Sequence, residues 1–163
     1  MIIRHPQPGE VDAILALFEE EVHAGRMLPR TPENVRAGIE DWLVAERYGQ
    51  VIGCASLVAF NQELCELRSL AVAPACRGQG IAGQLIAAVV QMARERGFRQ
   101  VLTLTRAPGL FERVGFRRDF VANYPEKVWR DCTLCPFQAN CDEVALLYPV
   151  LEQEEIKTTY ERV

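Results

Sequence analysis

Three groups of residues in this chain have types and spacings that could do chemistry. The first is Arg77-Gly78-Gln79-Gly80-Ile81-Ala82, which follows an extended apolar run broken at Pro74 and opens a long amphipathic pattern. Strand, loop, helix is the order this predicts. The first turn of a helix leaves backbone N–H groups without intrahelical partners and carries the positive end of the aligned peptide dipoles, so it attracts anions. Gly78 and Gly80 have no side chains to keep a diphosphate from those groups, and Arg77 adds a charged donor. A phosphate-bearing cofactor is the expected ligand, and an ordinary solvated turn is the alternative. The loop lacks the Lys-Ser/Thr ending of a nucleoside-triphosphate loop and is not the Gly-x-Gly-x-x-Gly of a dinucleotide fold.

The second group is Glu66 with Arg68, two residues apart on the strand before the loop. Residues so spaced share a strand face and can form a structural ion pair. The third is Cys132-x-x-Cys135-Pro136 with Cys141-Asp142 after it. Thiolates at this spacing could hold zinc, but a structural site wants four ligands, so Asp142 or a distant His would have to complete Cys132, Cys135 and Cys141. Free thiols or a redox-sensitive disulfide are the other readings. Cys54, Cys65 and Cys76 stand singly and read as small packing or spectator residues. No His neighbours Cys76, which argues against a nucleophilic role.

The elements that must position these groups follow from periodicity. Ile2 and Ile3 open a short strand that ends at Pro6. Val11, Ile14, Leu15, Phe18 and Val22 fall on one stripe and predict a core-facing helix. Thr31-Pro32-Glu33 has the N-cap, first-turn proline and acidic residue of a second helix, which would carry Val35, Ile39 and Trp42. Leu43–Tyr48 and Val51–Val58 flank Gly49-Gln50 and read as a hairpin, and Asn61-Gln62 turns the chain into a third antiparallel strand holding Glu66 to Val72. The helix after the loop carries Ile81, Leu85, Ile86, Val89, Val90 and Ala93 and stops near Gly97. Val101–Thr105 then reads as a strand, Pro108–Val114 as a short helix, and Phe116–Phe120 and Asp142–Val150 as strands. Residues 1–150 form the predicted domain, with a polar tail over 151–163.

At 163 residues, 49% hydrophobic and 25% charged, the chain suits one domain with a core of its own. A net charge of −4 argues against a nucleic-acid partner, which would call for a basic face. No apolar run reaches the roughly 20 residues that cross a bilayer, and Met-Ile-Ile-Arg-His-Pro lacks the sequence of a signal peptide, so a cytoplasmic protein with no membrane partner is expected. The oligomeric state stays open, with a homodimer among the options.

The loop resembles the acetyl-coenzyme A loop of the GNAT N-acetyltransferase superfamily, Arg/Gln-x-x-Gly-x-Gly/Ala, with Val72-x-Pro74 at the usual place upstream. Phe111-Glu112-Arg113 before Gly115-Phe116 resembles the family's Tyr-x-x-x-Gly-Phe signature, with Phe111 where the tyrosine stands. The resemblance covers nearly the whole chain. It implies an α/β (α+β) fold with a mixed central sheet flanked by helices, and direct attack of an amine on the thioester of acetyl-CoA. Glu66 then occupies the strand on which family members place a general base, and a backbone N–H near Leu70, Ala71 and Val72 becomes the donor to the thioester oxygen. With Phe111 unable to give a proton, Tyr124 is a substitute acid.

Leu28-x-Arg30, Cys65-Glu66-Leu67, Leu104-Thr105 and Pro125-Glu126-Lys127-Val128-Trp129-Arg130-Asp131-Cys132 are similar to the short, single-domain N-acetylglutamate synthase group. That resemblance implies that Arg30 holds a substrate carboxylate, with Thr105, Lys127 and Arg130 as further contacts, and that glutamate is the acceptor at the opening step of arginine synthesis. Another amine is the alternative acceptor: a different amino acid, a polyamine, an antibiotic or a protein N-terminus. A non-catalytic acyl-CoA sensor is the alternative to an enzyme.

Overall fold

The computed structural model describes residues 1–138 and 141–150, and the tail expected over 151–163 lies outside them. The described strands are β1 (Ile2–Arg4), β2 (Trp42–Arg47), β3 (Gln50–Ala59), β4 (Leu64–Val72), β5 (Gln100–Thr105), β6 (Arg117–Asp119) and β7 (Val144–Pro149). The α-helices are α1 (Val11–Ala16), α2 (Glu19–His23), α3 (Pro32–Ala37), α4 (Ile81–Glu95), α5 (Pro108–Glu112) and α6 (Pro125–Arg130). The strands make one sheet in the order β1-β2-β3-β4-β5-β7-β6. It is mixed: β4 and β5 are parallel, with Leu64, Cys65 and Glu66 opposite Gln100, Val101 and Leu102, and β7 is antiparallel to both β5 and β6. A parallel pair needs a long crossover, which α4 supplies. The expected α/β architecture is therefore present.

Two compact units divide the chain. The first comprises Met1–Leu57 and Leu67–Val89, the second Val58–Glu66 and the residues from Val90 onward.

In the first unit Val11, Ile14, Phe18, Val35, Trp42, Val44 and Cys54 form the core. The single helix predicted from Val11 to Val22 is broken in two. Leu17 and Phe18 donate to the carbonyls of Ile14 and Leu15 at 3.1 and 3.0 Å, three residues back, which tightens the turn between α1 and α2. Phe18 still reaches the core, edge-on to Trp42 at 6.3 Å. Thr31 caps α3 as its type predicts, accepting the Asn34 N–H at 3.1 Å, but the helix stops at Ala37 and Trp42 begins β2. The hairpin turn is Tyr48-Gly49, one residue earlier than expected, with φ of 52° and 75°. Positive φ at both central residues matches the right-handed twist of the flanking strands.

Gly53 sets how closely α4 approaches β3. A Cβ there would stand 3.0 Å from Leu85 Cδ1, 3.2 Å from the Ala71 carbonyl oxygen and 3.4 Å from Ile81 Cγ2. Only a missing side chain lets the first turns of α4 pack this tightly, and those turns follow the glycine loop directly.

The second unit has its own core of Leu64, Leu102, Tyr124 and Ala145, packed with Phe60, Leu104, Val121 and Leu147. Phe111 is buried edge-on to Phe116 at 5.2 Å, which in turn lies 5.3 Å from Tyr148. Pro125–Arg130 is helical, with Pro125 pre-setting the first-turn dihedral where no backbone donor is needed.

Candidate active site

The glycine loop has the backbone its composition calls for. Pro74–Cys76 form a short 3₁₀ turn, closed by the Cys76 N–H on the Ala73 carbonyl at 2.8 Å. Gly78 and Gly80 follow with φ of +74° and +80°, and a Cβ built at either meets no other atom of the protein within 4 Å. The demand for glycine is thus conformational, and it leaves the approach to α4 clear. Ile81, Ala82 and Gly83 have no carbonyl four residues back within the fifteen-residue helix; the first such bond runs from Gln84 to Gly80 at 3.2 Å. Arg77 braces the loop by donating from Nε to the Val72 carbonyl at 3.2 Å, with Nη2 3.8 Å from Glu20. Arg47 brings a second guanidinium, donating to Gln79 Oε1 at 2.8 Å. No motif could have found Arg47, because it reaches the loop from the end of β2.

On β4, between Glu66 and the expected donor stretch Leu70, Ala71 and Val72, Ser69 adopts φ of +57°. A left-handed residue breaks the alternation of a strand and re-aims the peptide groups after it. The Ser69 carbonyl accepts the Cys54 thiol at 3.5 Å, and the Arg68 carbonyl accepts the Ser56 hydroxyl at 3.2 Å. Ser69 Oγ is buried and has no hydrogen-bond partner among the described residues. Periodicity alone had no signal for this kink.

Glu66 lies near the start of the same strand and is almost wholly buried. Lys127 Nζ donates to Glu66 Oε1 at 3.0 Å and to Asp131 Oδ2 at 3.2 Å, so one ammonium bridges the strand and α6. Glu143 lies near enough to feel both Glu66 and Lys127. Burial pushes its carboxyl above the usual carboxylate range, opposed by Arg106, whose Nη1 stands 3.7 Å away. Asp131 and Glu143 were invisible as site residues in the sequence, since a solvated face is the usual fate of an acidic side chain.

The remaining candidates are held as follows. Tyr124 donates its hydroxyl to Asp119 Oδ2 at 2.6 Å; burial first, then that carboxylate, push the phenol well above its ordinary range. Thr105 Oγ1 accepts the Ala107 N–H at 2.9 Å at the entry to α5. Arg130 donates to the Ala59 carbonyl at 3.0 Å and stacks over Phe60 at 5.3 Å. Arg30 is half-buried just before the α3 cap and close enough to Cys54 to bear on its thiol.

The zinc expectation is not supported. Among the described residues no three His, Cys, Asp or Glu side chains are grouped to hold a metal ion. Cys132 and Cys135 are half-buried at a 3₁₀ turn, Cys141 is exposed, and all are free thiols. Asp142, the candidate fourth ligand, is engaged by Arg106 Nε at 2.7 Å. Elsewhere, burial pushes the Cys65 thiol up to about 12 and carries Cys54 higher still, so neither is a nucleophile.

Sheet order, the crossover α4 and its glycine loop define an acyl-coenzyme A transferase class. Residues 38–118 match the acetyltransferase (GNAT) domain family. A protein of Chlorobaculum tepidum described as an uncharacterized N-acetyltransferase is 37% identical over 145 residues, spanning 89% of this chain and 94% of that one. The amino-acid acetyltransferase of Mycobacterium tuberculosis is 31% identical over 119 residues, spanning 71% of this chain and 67% of its own. Among solved structures, N-acetylglutamate synthase from Neisseria gonorrhoeae, complexed with coenzyme A and N-acetyl-glutamate, superposes with a TM-score of 0.80 at 25% identity, over 91% of this chain and 35% of that one. The chain belongs to the GNAT acetyltransferase family, in its N-acetylglutamate synthase-like group.

Proposed function

We propose that this protein transfers acetyl from acetyl-CoA to the α-amino group of glutamate in the cytoplasm, the opening step of arginine synthesis. What carries the reading is the buried Glu66 carboxylate on β4, the strand that runs on to Val72, ahead of a left-handed glycine loop and the start of α4. The loop amides, Arg77 and Arg47 hold the diphosphate. Glu66 takes a proton from the incoming ammonium, which at a reference pKa near 8 or above is mostly charged at neutral pH. A backbone N–H following the Ser69 kink, among Leu70, Ala71 and Val72, faces the negative charge that develops on the thioester oxygen. Arg30 and Arg130 bind the acceptor's carboxylates.

A second reading keeps the chemistry and takes a neutral amino acid as acceptor. The observation that favours it is Lys127, whose charge is matched by Glu66 and Asp131 and so does little to draw in a dicarboxylate. A thiol-release screen of the purified protein with acetyl-CoA against individual amino acids decides between them. Glutamate is expected to be turned over with the highest kcat/KM, and Arg30→Ala to raise its KM about tenfold or more. Preference for a neutral amino acid selects the second reading; no turnover with any amino acid removes both.

A further inference from the structure

Among the described residues Lys127 is the cation that is almost fully withdrawn from water. Its side chain is 10% exposed, and that of Glu66, 3.0 Å away, is 4% exposed. Pairs on a wet surface contribute little, but a buried carboxylate that loses its cation is left with an uncompensated charge. The geometry around Lys127 is fixed from both sides. Its N–H donates to the Tyr124 carbonyl at 3.1 Å, and its own carbonyl accepts the Asp131 N–H at 3.0 Å. Asp131 therefore sits one helical turn on, with Oδ2 3.2 Å from Nζ. Two of the three ammonium donors are directed at the protein's own carboxylates, which suits an orienting role better than capture of a substrate anion.

We propose that Lys127 is a positioning residue that holds Glu66 ionised and aimed, with Asp131 as the rear anchor that keeps the ammonium in place. The inference rests on the reading of Glu66 as the base. Groups bearing on Glu66 include Lys127 on α6, a cation that donates to it at 3.0 Å, together with Cys132 on the turn after α6, Glu143 ahead of β7 and Cys65 beside it on β4. Removing Lys127 takes a cation away from a buried carboxylate, and a cation at hydrogen-bond distance favours the ionised form that accepts a proton.

The test is steady-state thiol release with acetyl-CoA and glutamate across pH 6 to 9, using Lys127→Met, Lys127→Arg, Glu66→Gln and the Glu66→Gln/Lys127→Met double variant. Lys127→Met is expected to lower kcat about 10²-fold at pH 7 and to move the acid limb of the profile up by about one pH unit, with glutamate KM changed less than about threefold. Lys127→Arg recovers most of kcat. In the Glu66→Gln background the second substitution costs nothing further, because Lys127 acts only through the carboxylate. The double variant removes both buried charges together and serves as the folded control should Lys127→Met alone fail to fold. A Lys127→Met enzyme with raised glutamate KM and an unmoved profile, or a double variant well below Glu66→Gln, overturns the proposal. If instead Glu66→Gln keeps native kcat, the base assignment itself is lost and the pair is structural.

Discussion

The Tyr124 hydroxyl donates to Asp119 Oδ2 across 2.6 Å, and the same carboxylate accepts the Phe120 N–H and the Asn123 amide at 2.7 Å each. This ties β6 to the start of α6, the helix that carries Lys127. The hydrogen bond from Tyr124, followed by that from Phe120, holds the Asp119 carboxyl below its usual range. Tyr124→Phe is expected to cost about 1 kcal/mol of stability, since a half-buried carboxylate loses one of its three donors. Turnover should fall no further than the loss of folded protein explains, as urea denaturation alongside thiol release will show. A hundredfold loss in kcat with native stability would mark the phenol as the acid for the leaving thiolate.

Arg4 holds Glu10 and Glu46 together, at 2.7 and 3.0 Å, within the first unit. The hydrogen bond from Arg4, with the Gln7 N–H second, lowers the Glu10 carboxyl from 4.5 to about 2. A depressed carboxylate stabilises the fold above its unfolded pKa and loses that contribution as pH falls toward the folded one. Arg4→Met should therefore be less stable than the native chain at pH 7, and the gap should close between about pH 4.5 and 2, as urea melts at successive pH values will show. A gap that does not vary with pH would mean the pair contributes through packing.

Ser69 combines a left-handed backbone with a buried hydroxyl lacking a partner among the described residues. Both are unfavourable, the first by about 1 kcal/mol. Ser69→Gly relieves them and is expected to raise Tm by about 2–4 °C, whereas Ser69→Val should lower it. Should Ser69→Gly also slow turnover, the hydroxyl or its rigidity contributes to the reaction.

Gly53→Ala places a methyl against the Ala71 carbonyl at 3.2 Å, where backbone has to yield. A cost of about 1–3 kcal/mol is expected. Because the same methyl meets Leu85 Cδ1 at 3.0 Å and Ile81 Cγ2 at 3.4 Å in the first turns of α4, the KM for acetyl-CoA should rise more than the KM for the amine. Equal effects on both would argue that the strain is absorbed in β3.

Much of the fold was legible because its signals are local. Thr31-Pro32 caps α3, the stripe from Ile81 to Ala93 is buried along α4, and the glycine loop has the dihedrals its residue types allow. The misreadings came where tertiary contacts decide. Phe18 points to Trp42 whether or not the helix is continuous, so the stripe concealed the break before α2. The hairpin slipped by one because a bulky Tyr48 takes the first left-handed position, which residue preference does not anticipate. At the site, Glu66 could be marked from its strand, but its ion pair with Lys127 joins residues 61 apart, beyond what spacing along one strand can suggest. Asp131, Glu143 and Arg47 acquire meaning only through distances that no linear pattern encodes, and Lys127, named as a substrate contact by resemblance, is found on Glu66 and Asp131.

The six thiols fall into two accessibility classes: Cys54 and Cys65 sealed in apolar surroundings, with Cys76, Cys132, Cys135 and Cys141 nearer the solvent. An aromatic disulfide reagent should thus modify the native protein in two kinetic stages, a prompt one from the outer four and a slow one gated by opening of the chain. The slow stage is a built-in clock for conformational opening, readable in the same spectrophotometer trace that follows coenzyme release.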